Sequence, residues 1–228
     1  MDDFGLYLTG QIFAGLKTTV LLFVACAITG NLLALPIAFA RLSRNRWLKI
    51  PVTAFVLAFR GTPLLVQLYI VYFGVGQVLA SVPSIRFSPV WPFFRSAYSY
   101  AFIALSLNTA AYCAEIWRGA IMSVPTGQSE AGRSLGLSKR RIMRSVLLPQ
   151  ALRLALPSIG GQNILLLKGT ALAASITVFE LMAAANFVRA QTFRVYEPLL
   201  AAALAYFVLS VIITSGFKAV ESRLASRY

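Results

Sequence analysis

Residues 126–149 read TGQSEAGRSLGLSKRRIMRSVLLP, and the order of residue types here decides how the chain is built. Pro125 suits the first turn of a helix, Gly136 supplies a left-handed stop, and Ser138 caps a second helix predicted to run to Pro149. Ala131 and Leu135 share one face of the first helix, and Ile142 and Val146 share one face of the second, so both are amphipathic. Small residues at Ala131 and Gly132 are expected to let another surface approach closely, while Glu130 complements a helix start or a basic partner. Such a polar hairpin, spanning about residues 119–153, is a candidate docking surface.

On either side of it the sequence turns apolar. The 228 residues are 58% hydrophobic and only 12% charged, with a mean hydropathy of +0.75, outside the range of soluble domains. Charge-free runs predict five membrane helices: Thr18–Ala40, Gly61–Ile85, Ser96–Ala114, a split one from Leu154 to Phe179 interrupted by Lys168, and Pro198–Phe217. Their length without dyad alternation favours helices over a barrel, and 1–228 reads as one transmembrane domain. The start, Met1-Asp2-Asp3, lacks the basic region of a secretory signal, so the first span is expected to be retained.

A net charge of +14 would suggest nucleic acid in a soluble protein, but the basic residues flank the apolar runs, which makes membrane topology the explanation. Arg41, Arg44, Arg46 and Lys49, then Arg118 to Arg153 around the hairpin, then Lys218, Arg223 and Arg227, belong in the cytoplasm. Arg86, Arg95, Arg189 and Arg194, mixed with Asp2, Asp3, Glu180 and Glu197, mark the opposite side. The N-terminus is therefore expected outside, in the periplasm of a bacterial inner membrane, and the C-terminus inside. The loops with Pro83, Pro89 and Pro92, and later Asn186 to Glu197, are predicted to hold brief interfacial helices at most.

The spacing Glu130-Ala131-Gly132, three residues, Gly136, nine residues, Val146-Leu147-Leu148-Pro149 resembles the EAA loop of ABC importer permeases. Gly132 replaces the second alanine of that pattern and Val146 its isoleucine. Phe59-Arg60-Gly61-Thr62-Pro63 with Gln67, then Asn108, Ala111, Tyr112, Glu115 and Arg118-Gly119-Ala120, and Pro149-Gln150-Ala151-Leu152-Arg153 are similar to the polar amino acid branch, especially to histidine, lysine, arginine and ornithine permeases and to opine permeases. Where many relatives carry an acidic or polar residue, this chain has Gly169.

The resemblance implies an all-α membrane protein with the type I ABC importer permease fold (MetI-like). It implies coupling through Glu130, Ala131, Gly132, Leu135, Gly136 and Pro149 to a cytosolic ABC ATPase dimer, which uses ATP and Mg. It also implies a homologous second permease subunit, a periplasmic substrate-binding protein and an amino acid or opine substrate. The branches it most resembles use two different permeases, which favours a heterodimer over a homodimer.

Gly127 to Ser134 match a phosphate-loop pattern with arginine in place of lysine, but a membrane helix rather than a strand precedes them, so no nucleotide site is read here. With no histidine, and Cys26 and Cys113 inside apolar runs, no catalytic, metal or cofactor site is expected. Candidate path residues are Asn108, Tyr112 and Glu115, on one stripe of the third span, together with Gln162 and Asn163 on the fourth. The alternative for Glu115 is pairing with Arg118, and Gly160-Gly161 suggest close packing or a local break. Lys168 is expected to snorkel outward or pair with Glu180, and Arg60 to anchor at the interface. A secondary transporter driven by an ion gradient is the rival class, disfavoured because such carriers show more spans and paired repeats.

Overall fold

Residues 3–225 are described by a computed structural model, in which all regular structure is helical. Asp2 and Arg227, used above in the charge balance, lie outside the described residues. The chain opens with α1, Asp3–Leu42, and turns through Asn45, whose side chain accepts from Trp47 N at 3.0 Å to cap α2, Arg46–Gly61. After a short break come α3, Leu64–Ser81, and the brief helices α4, Pro83–Arg86, and α5, Trp91–Phe94. Next are α6, Ala97–Ser123, and α7, Thr126–Ser134. A long helix α8, Lys139–Ile176, leads to α9, Leu181–Thr192, and α10, Tyr196–Ala225.

Helix α1 is the spine. Its buried positions, Gly15, Thr19, Leu22, Cys26, Gly30, Ala34 and Ala38, recur every three or four residues and are mostly small. That stripe lets α6 and α9 come very close. A Cβ on Gly30 would lie 2.7 Å from Thr109 Cβ, and one on Gly15 would lie 2.8 Å from Ala184 Cβ. On its other sides α6 packs against α8, which in turn packs against α10. Three apolar clusters result among the described residues, the smallest of them Ala34, Ala38, Cys113 and Ala114 where α1 meets α6. Of the larger two, one joins Leu22, Cys26, Leu68, Leu105, Leu166 and Ile176, and the second gathers Phe39, Ile121, Val124, Ala151, Ile159 and Phe217 at the end of the bundle that carries the basic connections.

Several expectations change. Helices α1, α3 and α10, and the pair α8 and α9 bent by 47°, pass as membrane crossings by length and composition, while the remaining one of the five predicted runs lies on the 27-residue helix α6, which does not pass on composition. The difference is α6, where Ser96–Ala114 was expected. It is surrounded by protein and buries Ser99, Ser106, Asn108 and Thr109, so its composition need not suit lipid. Residues 41–60, read as the basic connection between the first two spans, hold all but the last residue of the 16-residue helix α2. The second hairpin helix does not stop at Pro149: a wide π turn at Met143–Leu147 absorbs the proline at the start of the next helical segment, and α8 continues.

Gly160 and Gly161 do not break α8. Gly160 instead makes room for α10, since a Cβ there would sit 3.1 Å from Phe217 Cγ. The break falls after Ile176, where Thr177 adopts a left-handed φ of 67°. Part of the predicted outer loop Asn186 to Glu197 is also helical, because α9 buries Leu181, Ala184, Ala185 and Val188.

Candidate translocation site and coupling hairpin

Pro63 fixes the break between α2 and α3. Proline disfavours helical backbone in the preceding residue, and Thr62 is extended at φ −116°, ψ 148°. Carbonyls released by such a break need donors. Gln67 supplies them, its Nε2 lying 2.7 Å from Phe59 O, 3.0 Å from Thr62 O and 2.9 Å from Thr62 Oγ1. Asn108 Nδ2 on α6 donates to Gln67 Oε1 at 2.9 Å, tying the break to the centre of the bundle.

Beside this join lies a cavity of about 240 Å³ whose wall includes Thr62, Pro63, Asn108, Tyr112, Gln162 and Leu165. Gln162 is only 8% exposed, and its side-chain amide has no hydrogen-bond partner among the described residues. Its polar atoms are not sealed in the core, and the residue lines the cavity.

Of the five predicted path residues, Asn108, Tyr112 and Gln162 meet in this cavity. Glu115 does not. It pairs with Arg41 of α1 and with Arg118, whose Nε is 2.9 Å from Glu115 Oε1, and Arg60 approaches to 4.0 Å. Sequence reading found the Arg118 partner but missed Arg41, which only the meeting of α1 and α6 brings into reach. Arg60, expected as an interfacial anchor, is 41% exposed and also lies with its guanidinium 5.4 Å from the Tyr112 ring centroid, in cation–π range. Asn163 faces elsewhere, accepting from Asn31 Nδ2 at 3.1 Å. Adjacent residues on a helix point about 100° apart, so Gln162 and Asn163 serve different neighbours.

The expected Lys168–Glu180 pair is also absent among the described residues. Glu180 is fully buried, takes hydrogen bonds from Tyr206 Oη and, at 2.9 Å, from Ala183 N, and lies 3.5 Å from Thr19 Oγ1. Lys168 lies exposed in a groove between α8 and α10 that also holds Lys218. The helix break turned Glu180 inward as the cap of α9, a role that its sequence neighbours did not signal.

In the hairpin, Gly136 adopts φ 72° and Ser138 Oγ accepts from Arg141 N at 3.3 Å, as the sequence suggested. Pro125 takes the cap position, one residue earlier than predicted. Gly132 faces inward, contrary to its reading as outer contact surface: a Cβ there would lie 2.9 Å from Ile142 Cγ1. The close approach is between the hairpin's own two helices. Glu130, Ala131, Gly136 and Pro149 remain exposed, and Leu135 holds an apolar side chain 78% exposed at the tip. Gly127 to Ser134 form the turns of α7 behind a helix, not a strand.

These features meet their counterpart in known proteins. Residues 30–226 match the family described as binding-protein-dependent transport system inner membrane component. The chain belongs to this family. The octopine transport system permease protein OccM of Rhizobium radiobacter is 40% identical to this permease over 210 residues, 92% of this chain and 84% of that protein. The histidine/lysine/arginine/ornithine transport system permease protein HisM of Escherichia coli (strain K12) is 39% identical over 218 residues, 96% of this chain and 90% of that one. A crystal structure of an amino acid ABC transporter with histidines superposes with a TM-score of 0.84 at 32% identity, covering 98% of this permease and 99% of that chain. Inward-facing MetNI methionine ABC transporter structures share the fold, one with a TM-score of 0.77 at 19% identity over 98% and 99% of the two chains. The permease thus has the type I importer fold and is an inner-membrane component of an ABC transport system.

Proposed function

We propose that this permease, acting as one domain over 1–228, carries a polar amino acid or opine inward through the cavity at Asn108, Tyr112 and Gln162. A homologous second permease completes the pathway, a periplasmic binding protein delivers the solute, and a cytosolic ATPase dimer hydrolyses ATP with Mg. The N-terminus is periplasmic and the C-terminus cytoplasmic. The residues 119–153 couple the ATPase through Glu130, Ala131, Leu135, Gly136 and Pro149, with Gly132 holding the hairpin closed.

The observation that carries this reading is the hairpin tip. Leu135 is 78% exposed among Arg133, Lys139, Arg140 and Arg141, and an apolar side chain held out on a rigid turn is a knob for a groove in a partner. The unpartnered Gln162 amide supports the path. Relatives named for octopine and for basic amino acids support the substrate class.

The test is reconstitution of the complex with its ATPase and binding protein in liposomes. Uptake that requires ATP and fails when the ATPase is left out is expected. Uptake driven by an ion gradient without ATP overturns the reading in favour of a secondary transporter.

A further inference from the structure

A second groove, of about 620 Å³, opens at the end of the bundle that carries the basic connections. Phe39, Leu42, Leu48 and Met143 make its wall mostly apolar, Ser43 supplies a hydroxyl, and no carboxylate of the described residues lines it. Its long side is the last two turns of α1, a helix apolar enough to cross a membrane. The groove therefore continues a lipid-facing surface up to the point where apolar helix gives way to polar turn.

Three bases stand beside it, one from each segment of its wall. Arg44 follows Ser43, Lys49 follows Leu48, and Arg144 follows Met143. All three are exposed, and none forms an ion pair among the described residues. Glu115 has no charge to spare for them, since Arg41 and Arg118 share it. Trp47, 90% exposed, shares one side of α2 with the exposed Ile50 and Leu57. Tryptophan among bases at the end of an apolar helix is the composition of a headgroup layer.

An apolar trough that ends in unpaired bases matches an amphiphile whose negative charge sits at one end. A zwitterionic headgroup would bring its own cation to three already present, whereas a phosphodiester with net negative charge does not. We infer that this groove is a binding site for an anionic phospholipid, with an acyl chain along Phe39 and Leu42 and the phosphate among Arg44, Lys49 and Arg144. Met143 belongs to the π turn in the second arm of the hairpin, so the bound lipid touches the hairpin away from its exposed tip at Leu135. The site shares no wall residue with the cavity at Gln162 and stands whether or not that cavity is the solute path.

The test takes the assembled permease–ATPase complex in phosphatidylcholine nanodiscs doped with either phosphatidylglycerol or phosphatidylcholine carrying a photoreactive diazirine in one acyl chain, and maps the labelled peptides by mass spectrometry. Peptides holding Phe39, Leu42 and Met143 are expected to take about tenfold or more label from the phosphatidylglycerol at equal dose. The exposed Leu21 and Ile28, farther along α1, should take both alike. Joint replacement Arg44→Gln, Lys49→Gln and Arg144→Gln should bring the ratio at the groove close to one in a complex that still assembles. Ala40→Phe, which narrows the trough and keeps the bases, should lower the label from both lipids there. Equal labelling of the groove by the two lipids overturns the anionic assignment, and a preference that survives the triple replacement removes the three bases from the role. Labelling that Ala40→Phe leaves unchanged overturns the groove as the place of the chain. A groove that labels only once the ATPase is stripped away belongs to the ATPase, and the lipid site falls.

Discussion

Asn108 and Gln67 lie 2.9 Å apart across the α3–α6 contact, and through that one hydrogen bond the helix break at Thr62-Pro63 is fastened to the wall of the central cavity. Gln67 satisfies the break with its amide nitrogen and holds Asn108 with its oxygen, so both ends of the side chain are occupied. Gln67→Leu keeps the volume and removes every one of these bonds. It is expected to cost about 1–3 kcal/mol, the range for leaving buried polar groups unsatisfied, and to free α2 relative to α3. Thermal melting of the purified complex checks the first effect and cysteine cross-linking of α2 to α6 the second. An unaltered melting temperature would mean that water replaces the amide and that the join carries little.

Gly132 and Ile142 make the hairpin's internal contact. Gly132→Val places a branched side chain where Ile142 already stands, and overpacking of this kind costs about 1–3 kcal/mol. The ATPase is expected to co-purify poorly with the single variant, and Ile142→Ala in the same chain should restore it. By contrast, Leu135→Ser should leave the hairpin intact and weaken co-purification by itself, since Leu135 is 78% exposed. Restoration by Ile142→Ala in the first case and not in the second separates hairpin shape from contact surface.

How much of this was legible in the sequence follows the range of each interaction. The turn at Gly136 and the cap at Ser138 are local, involving residues within three positions, and both were readable. Glu115–Arg118, three apart on one helix, was readable for the same reason. Arg41–Glu115, Asn31–Asn163 and Thr19–Glu180 join residues far apart in the chain and depend on which helices become neighbours. Apolar runs do not encode that. Helix α2 was hidden because its arginines and lysine were read as a loop, although Asn45 followed by Trp47, Leu48 and Ile50 is a capped amphipathic start. Helix α9 was hidden by the break after Ile176, which no proline or glycine announces: Thr177 takes the left-handed turn.

The contact of Gly30 with Thr109 sets how closely the two central helices approach. Gly30→Val pushes a side chain against a β-branched residue on a buried face, where neither has a free rotamer to adopt. Membrane insertion is expected to proceed normally, because apolarity is raised, while the folded complex loses stability by about 1–3 kcal/mol. Separate measurement of membrane-fraction abundance and of detergent melting distinguishes the two. A fall in membrane abundance alone would point to the translocon rather than to packing.

Glu180 offers the sharpest contrast with the sequence-based expectation, because its partners are Tyr206, Thr19 and the start of α9 rather than Lys168. Lys168→Met should therefore leave stability nearly unchanged. Glu180→Leu should destabilise, since it removes a helix cap worth about 0.5–2 kcal/mol and takes from the half-buried Tyr206 hydroxyl its carboxylate acceptor, a contact worth about 0.5–1.5 kcal/mol more. Tyr206→Phe alone removes only the second contribution. In a double-mutant cycle the Glu180 and Tyr206 changes are expected to be less than additive, because the hydroxyl left unpaired by the first is absent in the second. Additive losses would show that the two side chains act separately, with Glu180 serving only as the cap. A loss in Lys168→Met comparable to that in Glu180→Leu would return the lysine to the role of partner, through a rearrangement of the groove between α8 and α10.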